Sequence, residues 1–171
     1  GINGKVPETL DLPASKGLIP GIVASDEFTR KKKDAALPLV WQWNHNPDNS
    51  LWSVSERKGY LRLKTGRIDT DFLSARNTLT QRTIGPVCSG TTSMDVSDMK
   101  EGDFAGLADK KDIADFYYSL DGKKWTKIGS QLKMAYTLPH FMGYRFGLFN
   151  YATKTPGGYV DFDYFRISDS K

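Results

Sequence analysis

The chain has 171 residues, of which 39% are hydrophobic and 26% charged; this suits one folded domain with a sizeable core and excludes global disorder. Its net charge of +4 is scattered apart from Arg30-Lys31-Lys32-Lys33, too mild for a nucleic-acid footprint, and the basic run reads as a solvated loop. Cys88 is the single cysteine, so no intrachain disulfide forms. With neither His45 nor His140 in a nucleophile motif beside it, Cys88 reads as a small strand residue. No apolar stretch reaches membrane length and no signal peptide is visible. The start at Gly-Ile-Asn rather than Met reads as that of a fragment cut from a longer protein, with any targeting information expected upstream.

In chain order, residues 1–24 hold Gly4, Pro7, Pro13, Gly17, Pro20 and Gly21 with no periodic pattern, which reads as an extended linker or strap. The folded unit, residues 25–171, starts at Ser25-Asp26-Glu27-Phe28. Trp41-Gln42-Trp43 alternates and runs into the turn cluster Asn44-His45-Asn46-Pro47-Asp48-Asn49. Trp52-Ser53-Val54 leads through Lys58-Gly59 to Tyr60-Leu61-Arg62-Leu63, whose period of two predicts a half-exposed strand. Thr78 to Ile84 alternates and stops at Gly85-Pro86. Only 97–99 suggests a single short helical turn. Gly102 to Ala108 starts like a buried strand but meets Asp109-Lys110-Lys111-Asp112. Phe116-Tyr117-Tyr118, the Asp121-Gly122 turn and Trp125 to Ile128 predict a hairpin.

The tail from Leu138 to Ile167 packs nine aromatics with His140 and Arg145 into two strand-like runs. Such density either fills a sandwich core or presents a surface on which sugar rings stack. The class is all-β, an antiparallel β-sandwich.

Saccharide binding needs exposed rings for stacking and Arg, Asn, Gln or His for the hydroxyls. On the alternating strand Thr78, Thr80 and Arg82 share a face, with Arg76 in phase. Arg76 and Arg82 can line a polar face with Trp41 or Trp43 and Tyr118; alternatively the tryptophans are core and the arginines pair with acids. Asp161 and Asp163 lie two apart on a strand, about 7 Å by strand rise, a spacing compatible with an inverting glycosidase pair. Almost any alternating acidic strand meets that test, so no catalytic residue is assigned.

Taken together, Ser-Asp-Glu-Phe at 25–28, Trp-Gln-Trp-Asn-His-Asn-Pro at 41–47, Gly-Tyr-Leu-Arg-Leu at 59–63, Ala-Arg-Asn-Thr-Leu-Thr-Gln-Arg-Thr at 75–83, Phe-Tyr-Tyr-Ser-Leu-Asp-Gly at 116–122 and the tail from Pro139 to Ile167 carry a resemblance. In this order they resemble the C-terminal concanavalin A-like β-sandwich (jelly roll) of glycoside hydrolase family 43, the β-xylosidase and α-arabinofuranosidase family. The resemblance implies an accessory domain beside a catalytic five-bladed propeller of the same parent chain. Xylan- or arabinan-derived saccharide is then the substrate, and the place is periplasmic, cell-surface or secreted. A carbohydrate-binding module for plant cell-wall polysaccharide is the alternative.

The resemblance further implies that a loop of the sandwich helps shape the propeller's pocket, a role that falls to His140 and Phe141 with Met142. It also implies a structural calcium joining the start of the fold to its last strand, with Asp26, Glu27, Asp161 and Asp163 as ligands; the alternative is that these acids cap, face solvent or form salt bridges. Family members run longer between Ala108 and Ala114, with several strands in between. A mobile segment missing from this stretch is expected over a true deletion, because losing interior strands leaves unpaired sheet edges.

Overall fold

The computed structural model describes residues 21–30, 36–84, 87–109, 113–133 and 144–168. Residues 1–20 of the expected strap 1–24, the basic run beyond Arg30, and His140 and Phe141 lie outside them.

The two aromatic runs of the tail become two long strands. β9 (Arg145–Ala152) and β10 (Tyr159–Ser168) each sit inside a different four-stranded sheet. Around β10 are β2 (Trp52–Ser53), β3 (Leu61–Lys64) and β5 (Ser89–Asp95), in the order β2-β3-β10-β5. Around β9 are β1 (Gln42–Trp43), β4 (Leu79–Arg82) and β6 (Asp103–Asp109), in the order β1-β4-β9-β6. Every pairing within the two sheets is antiparallel. Residues 153–158 carry the chain from one sheet to the other.

Alternation decides what goes inside. Leu61, Leu63, Val160, Phe162 and Phe165 from the β10 sheet meet Leu79, Phe146 and Leu148 from the β9 sheet, all buried. Fully burying such a side chain is worth roughly 1.5–3 kcal/mol, so this set dominates the favourable side of folding. Phe162 and Phe165 are three apart yet both belong to the core, which an unbroken strand does not allow. A bulge between Phe162 and Tyr164 absorbs the extra residue.

The start of the fold is pinned at Asp26, which bridges to Phe165 through backbone bonds of 2.8 Å in both directions. Its carboxylate accepts from the Phe28 amide at 2.8 Å, from Arg30 Nη1 and Nη2 at 2.9 and 2.8 Å, and from Trp41 Nε1 at 2.9 Å. Phe28 pays for its place with a φ of 48°, the left-handed region that a bulky residue rarely enters. Full burial of its ring against Trp41, 5.8 Å between centroids, offsets that strain. Gln81, buried on β4, holds the incoming chain by exchanging two 2.9 Å bonds with the backbone of Ala24.

β7 (Ile113–Tyr118) and β8 (Thr126–Lys133) form the expected hairpin as a separate two-stranded sheet. Its tip is built by Asp121, whose Oδ1 accepts from the amides of Lys123 and Lys124 at 2.8 Å, and by Gly122 at a φ of 69°. Among the described residues the hairpin pairs with neither four-stranded sheet, and β6 ends its own sheet with an unpaired edge.

Candidate functional site

The outer surface of the β10 sheet carries a laminate of acids and arginines. Asp161, only 2% exposed, accepts from Arg62 Nε and Nη2 at 2.7 Å each and from Arg57 Nη1 at 3.0 Å. Arg57 also binds Asp95 at 2.6 Å, and Glu56 pairs with Lys64 at 2.7 Å and Arg62 at 3.5 Å. The guanidinium groups of Arg57, Arg62 and Arg166 lie 3.8–3.9 Å over the rings of Tyr60, Tyr159 and Tyr164. Burial acts to raise the Asp161 pKa, but the bonds from Arg62 and Arg57 outweigh it and the net shift is downward. Arg57 and Ser97 together pull Asp95 down to about 2.

This arrangement has the wrong sign for glycoside hydrolysis, which needs one carboxyl group held protonated. The spacing argument for an inverting pair also lapses, because period two cannot be counted through Asp163 at the bulge. Nor do three of the four acids expected to hold calcium, Asp26, Glu27 and Asp161, fit that ion, and Asp163 alone is too few ligands for it. Asp26 is filled by Arg30, Trp41 and Phe28; Glu27 binds Arg166 at 2.8 and 2.9 Å; Asp161 is filled by Arg57 and Arg62. Guanidinium donors occupy the oxygens a hard cation would need. Among the described residues no three His, Cys, Asp or Glu side chains gather as a metal group.

The residues expected to meet saccharide separate. Trp41 is 7% exposed, wedged between Phe28 and Phe165, and offers no face to a ring. Trp43 is half-buried against the core and tilts on Trp52 at 5.1 Å. Arg76 precedes β4, donates to the Asn46 carbonyl at 2.9 Å, and lines a cleft of about 240 Å³ at one end of the sandwich with Asp48, Asp69, Asn77 and Asn150. In that cleft Asn150 donates to the Leu63 carbonyl at 2.9 Å, while its buried Oδ1 has no partner. Arg82 stands at the far end of β4, six residues on from Arg76, which lies in the turn before the strand. Tyr118 sits on the separate hairpin, 47% exposed.

Residue reasoning missed the outer surface of the β9 sheet. Phe72, Phe149, Tyr151 and Phe104 form a continuous ring row there, with successive centroids 4.7, 6.1 and 5.3 Å apart. Gly106 makes room for it, since a Cβ there would stand 3.3 Å from the Phe149 ring. At the other end of β9, Arg145 lies directly across from Arg82. The available signal was the alternation Phe149-Asn150-Tyr151, which puts both rings on the side opposite Leu148 and Asn150.

The decisive comparison is with the family of β-xylosidase C-terminal concanavalin A-like domains, whose profile matches residues 25–109 and 108–168. The chain belongs to that family. A bifunctional GH43-CE protein of Bacteroides eggerthii is 55% identical, with a TM-score of 0.83 over 95% of this chain and 30% of its own. A GH43 protein of Bacillus licheniformis is 25% identical, with a TM-score of 0.70 over 85% of this chain and 39% of its own. The β-xylosidase of Formosa agariphila is 28% identical across 82% of this chain and 34% of its own. The chain thus spans about a third of the length of the curated relatives it matches.

Two details locate the short stretch noted in the sequence. The family match comes in two pieces that meet at 108–109, and the Formosa alignment of 208 positions is longer than this whole chain. The relative therefore holds residues that this chain lacks. The junction falls where β6 ends and the unattached hairpin begins.

Proposed function

We propose that this chain is the accessory sandwich of a family 43 hydrolase acting on xylan or arabinan, which steadies the catalytic propeller and helps shape its substrate pocket. The observation that carries the reading is the match to the β-xylosidase C-terminal domain family over residues 25–168, with the β7–β8 hairpin as the candidate contact surface. Tyr117, Tyr118, Trp125, Ile128 and Leu132 are all roughly half exposed on it. A lone two-stranded hairpin is marginal in water, and large apolar side chains grouped at a surface mark contact with another body. Asp161 and Asp26 are both committed to arginines, which suits an accessory role.

The test joins the chain to its propeller and introduces Trp125→Ser with Ile128→Lys. The expected result is a lower Tm for the joined protein and a raised KM, with the Tm of the 171-residue chain alone unchanged. Unaltered Tm and KM in the joined protein would overturn the reading.

The ring row of Phe72, Phe149, Tyr151 and Phe104 favours a second reading, a carbohydrate-binding module. Its test is calorimetric titration of the chain with neutral xylo- and arabino-oligosaccharides, in which Tyr151→Ala should abolish binding.

A further inference from the structure

Among the described residues most arginines hold a carboxylate; of the three that do not, Arg76 donates to the Asn46 carbonyl, and the other two lie together on the β9 sheet. Arg30, Arg57, Arg62, Arg67 and Arg166 each hold an acid. Arg82 and Arg145 hold none among the described residues, although they are register partners across β4 and β9. Like charges directly opposite in an antiparallel pair repel, with Cβ atoms only about 5 Å apart. Arg145 is held in place without being neutralised: its Nη1 donates to Gln42 Oε1 and, at 3.3 Å, to Thr80 Oγ1. Burial, with the neighbouring charge of Arg82, holds its guanidinium below the ordinary pKa. Arg82 is exposed and makes no ion pair or hydrogen bond with a described side chain.

Two guanidinium groups, one of them fixed by neutral acceptors, make a preorganised receptor for a carboxylate, which arginine binds in a planar two-pronged fashion. Gly147, flanked by Thr80 and Ala108, keeps the floor beside them free of long side chains, with Gly147 and Thr80 themselves buried. Further along β9, about 14 to 20 Å from Arg145 by strand rise, comes the ring row at Phe149 and Tyr151. Charge at one end and stacking surface at the other fit an extended sugar chain with an acidic unit. A small free anion needs no such length.

We propose that Arg82 and Arg145 receive the carboxylate of an acidic saccharide, a uronic-acid unit on a xylan-type chain, whose neutral part runs along β9 toward Phe149 and Tyr151. The choice of a xylan backbone rests on the proposed function; the carboxylate recognition rests on the arginine pair alone.

The experiment is calorimetric titration of the 171-residue chain with a xylo-oligosaccharide bearing one glucuronic acid branch, with the same oligosaccharide unbranched, and with glucuronate alone. The branched ligand is expected to bind at least about tenfold tighter than the unbranched one, an advantage that shrinks with added salt. Arg82→Gln, at an exposed position, should remove that advantage and leave the affinity for the unbranched ligand as it was. Weak binding of glucuronate alone, lost in Arg82→Gln, supports carboxylate recognition even where the xylan backbone is the wrong carrier. Equal affinities for the two oligosaccharides, no binding of any of the three, or an advantage that survives Arg82→Gln would each overturn the proposal. In the no-binding case, an Arg82→Gln protein that loses Tm only when joined to its propeller assigns the pair to an interdomain carboxylate instead.

Discussion

The two sheets share one core but present opposite outer surfaces. On the β10 side each described arginine is matched to an acid, and Asp161 serves two guanidinium groups at once. On the β9 side the arginines face each other, and the remaining surface is small residues and rings. The same chemistry, a cation on a strand beside aromatic residues, builds structure on one side and leaves binding capacity on the other. The difference lies in the register partner: Arg62 lies opposite Asp161, whereas Arg82 lies opposite Arg145.

Breaking the matched side should cost most. Asp26→Ala strips partners from the Arg30 guanidinium, the Trp41 indole and the Phe28 amide together, and removing one member of a buried pair costs about 3–5 kcal/mol. Urea unfolding should show a loss of that size; a loss under 1 kcal/mol would remove Asp26 from its anchoring role. Asp161→Asn should cost less, about 2 kcal/mol, because Arg57 keeps Asp95 and reaches solvent. The paired cycle with Arg62→Gln checks that the cost belongs to this contact.

Acid sharpens the contrast without mutation. The pKa values of Asp26, Asp95 and Asp161 are lowered in the folded state, so their contribution is complete above the ordinary carboxylate value near 3.8. It is lost as pH falls from there toward the folded pKa, about 2 for Asp95. Tm should therefore be level above about pH 5 and drop steeply below pH 4. Arg57→Gln should make that drop shallower, and an unchanged slope would sever the link to this cluster.

Smaller effects belong to the unmatched side and to metal. Arg82→Gln should change the stability of the chain by less than about 0.5 kcal/mol, as for surface substitutions generally, with relief of repulsion favouring the stable direction. Calcium and chelator should leave Tm unmoved. A rise with calcium would restore a metal role to the acids whose oxygens are here turned to arginines.

Much of this architecture is legible in the chain because strand period and burial period coincide. Phe146, Leu148 and Asn150 share one side of β9, and Leu61 and Leu63 one side of β3, as their spacing predicts. β5 was not anticipated, since Ser89–Asp95 has no run of large apolar residues. It holds its place at a sheet edge through its pairing with β10, including Thr92 Oγ1 donating to the Tyr164 carbonyl at 2.6 Å. The bulge at Asp163 was equally invisible, because one extra residue leaves no compositional mark.

By itself the sequence determined the fold class, the hairpin at Asp121-Gly122 and the family, since each rests on local periodicity, turn chemistry or ordered blocks. Tertiary structure alone decided which polar residues meet. Trp41 became core, Asp26 and Asp161 became arginine receptors, and Arg82 was set against Arg145. Such pairings join residues tens of positions apart through strand register, and register follows from the packing of the whole sandwich.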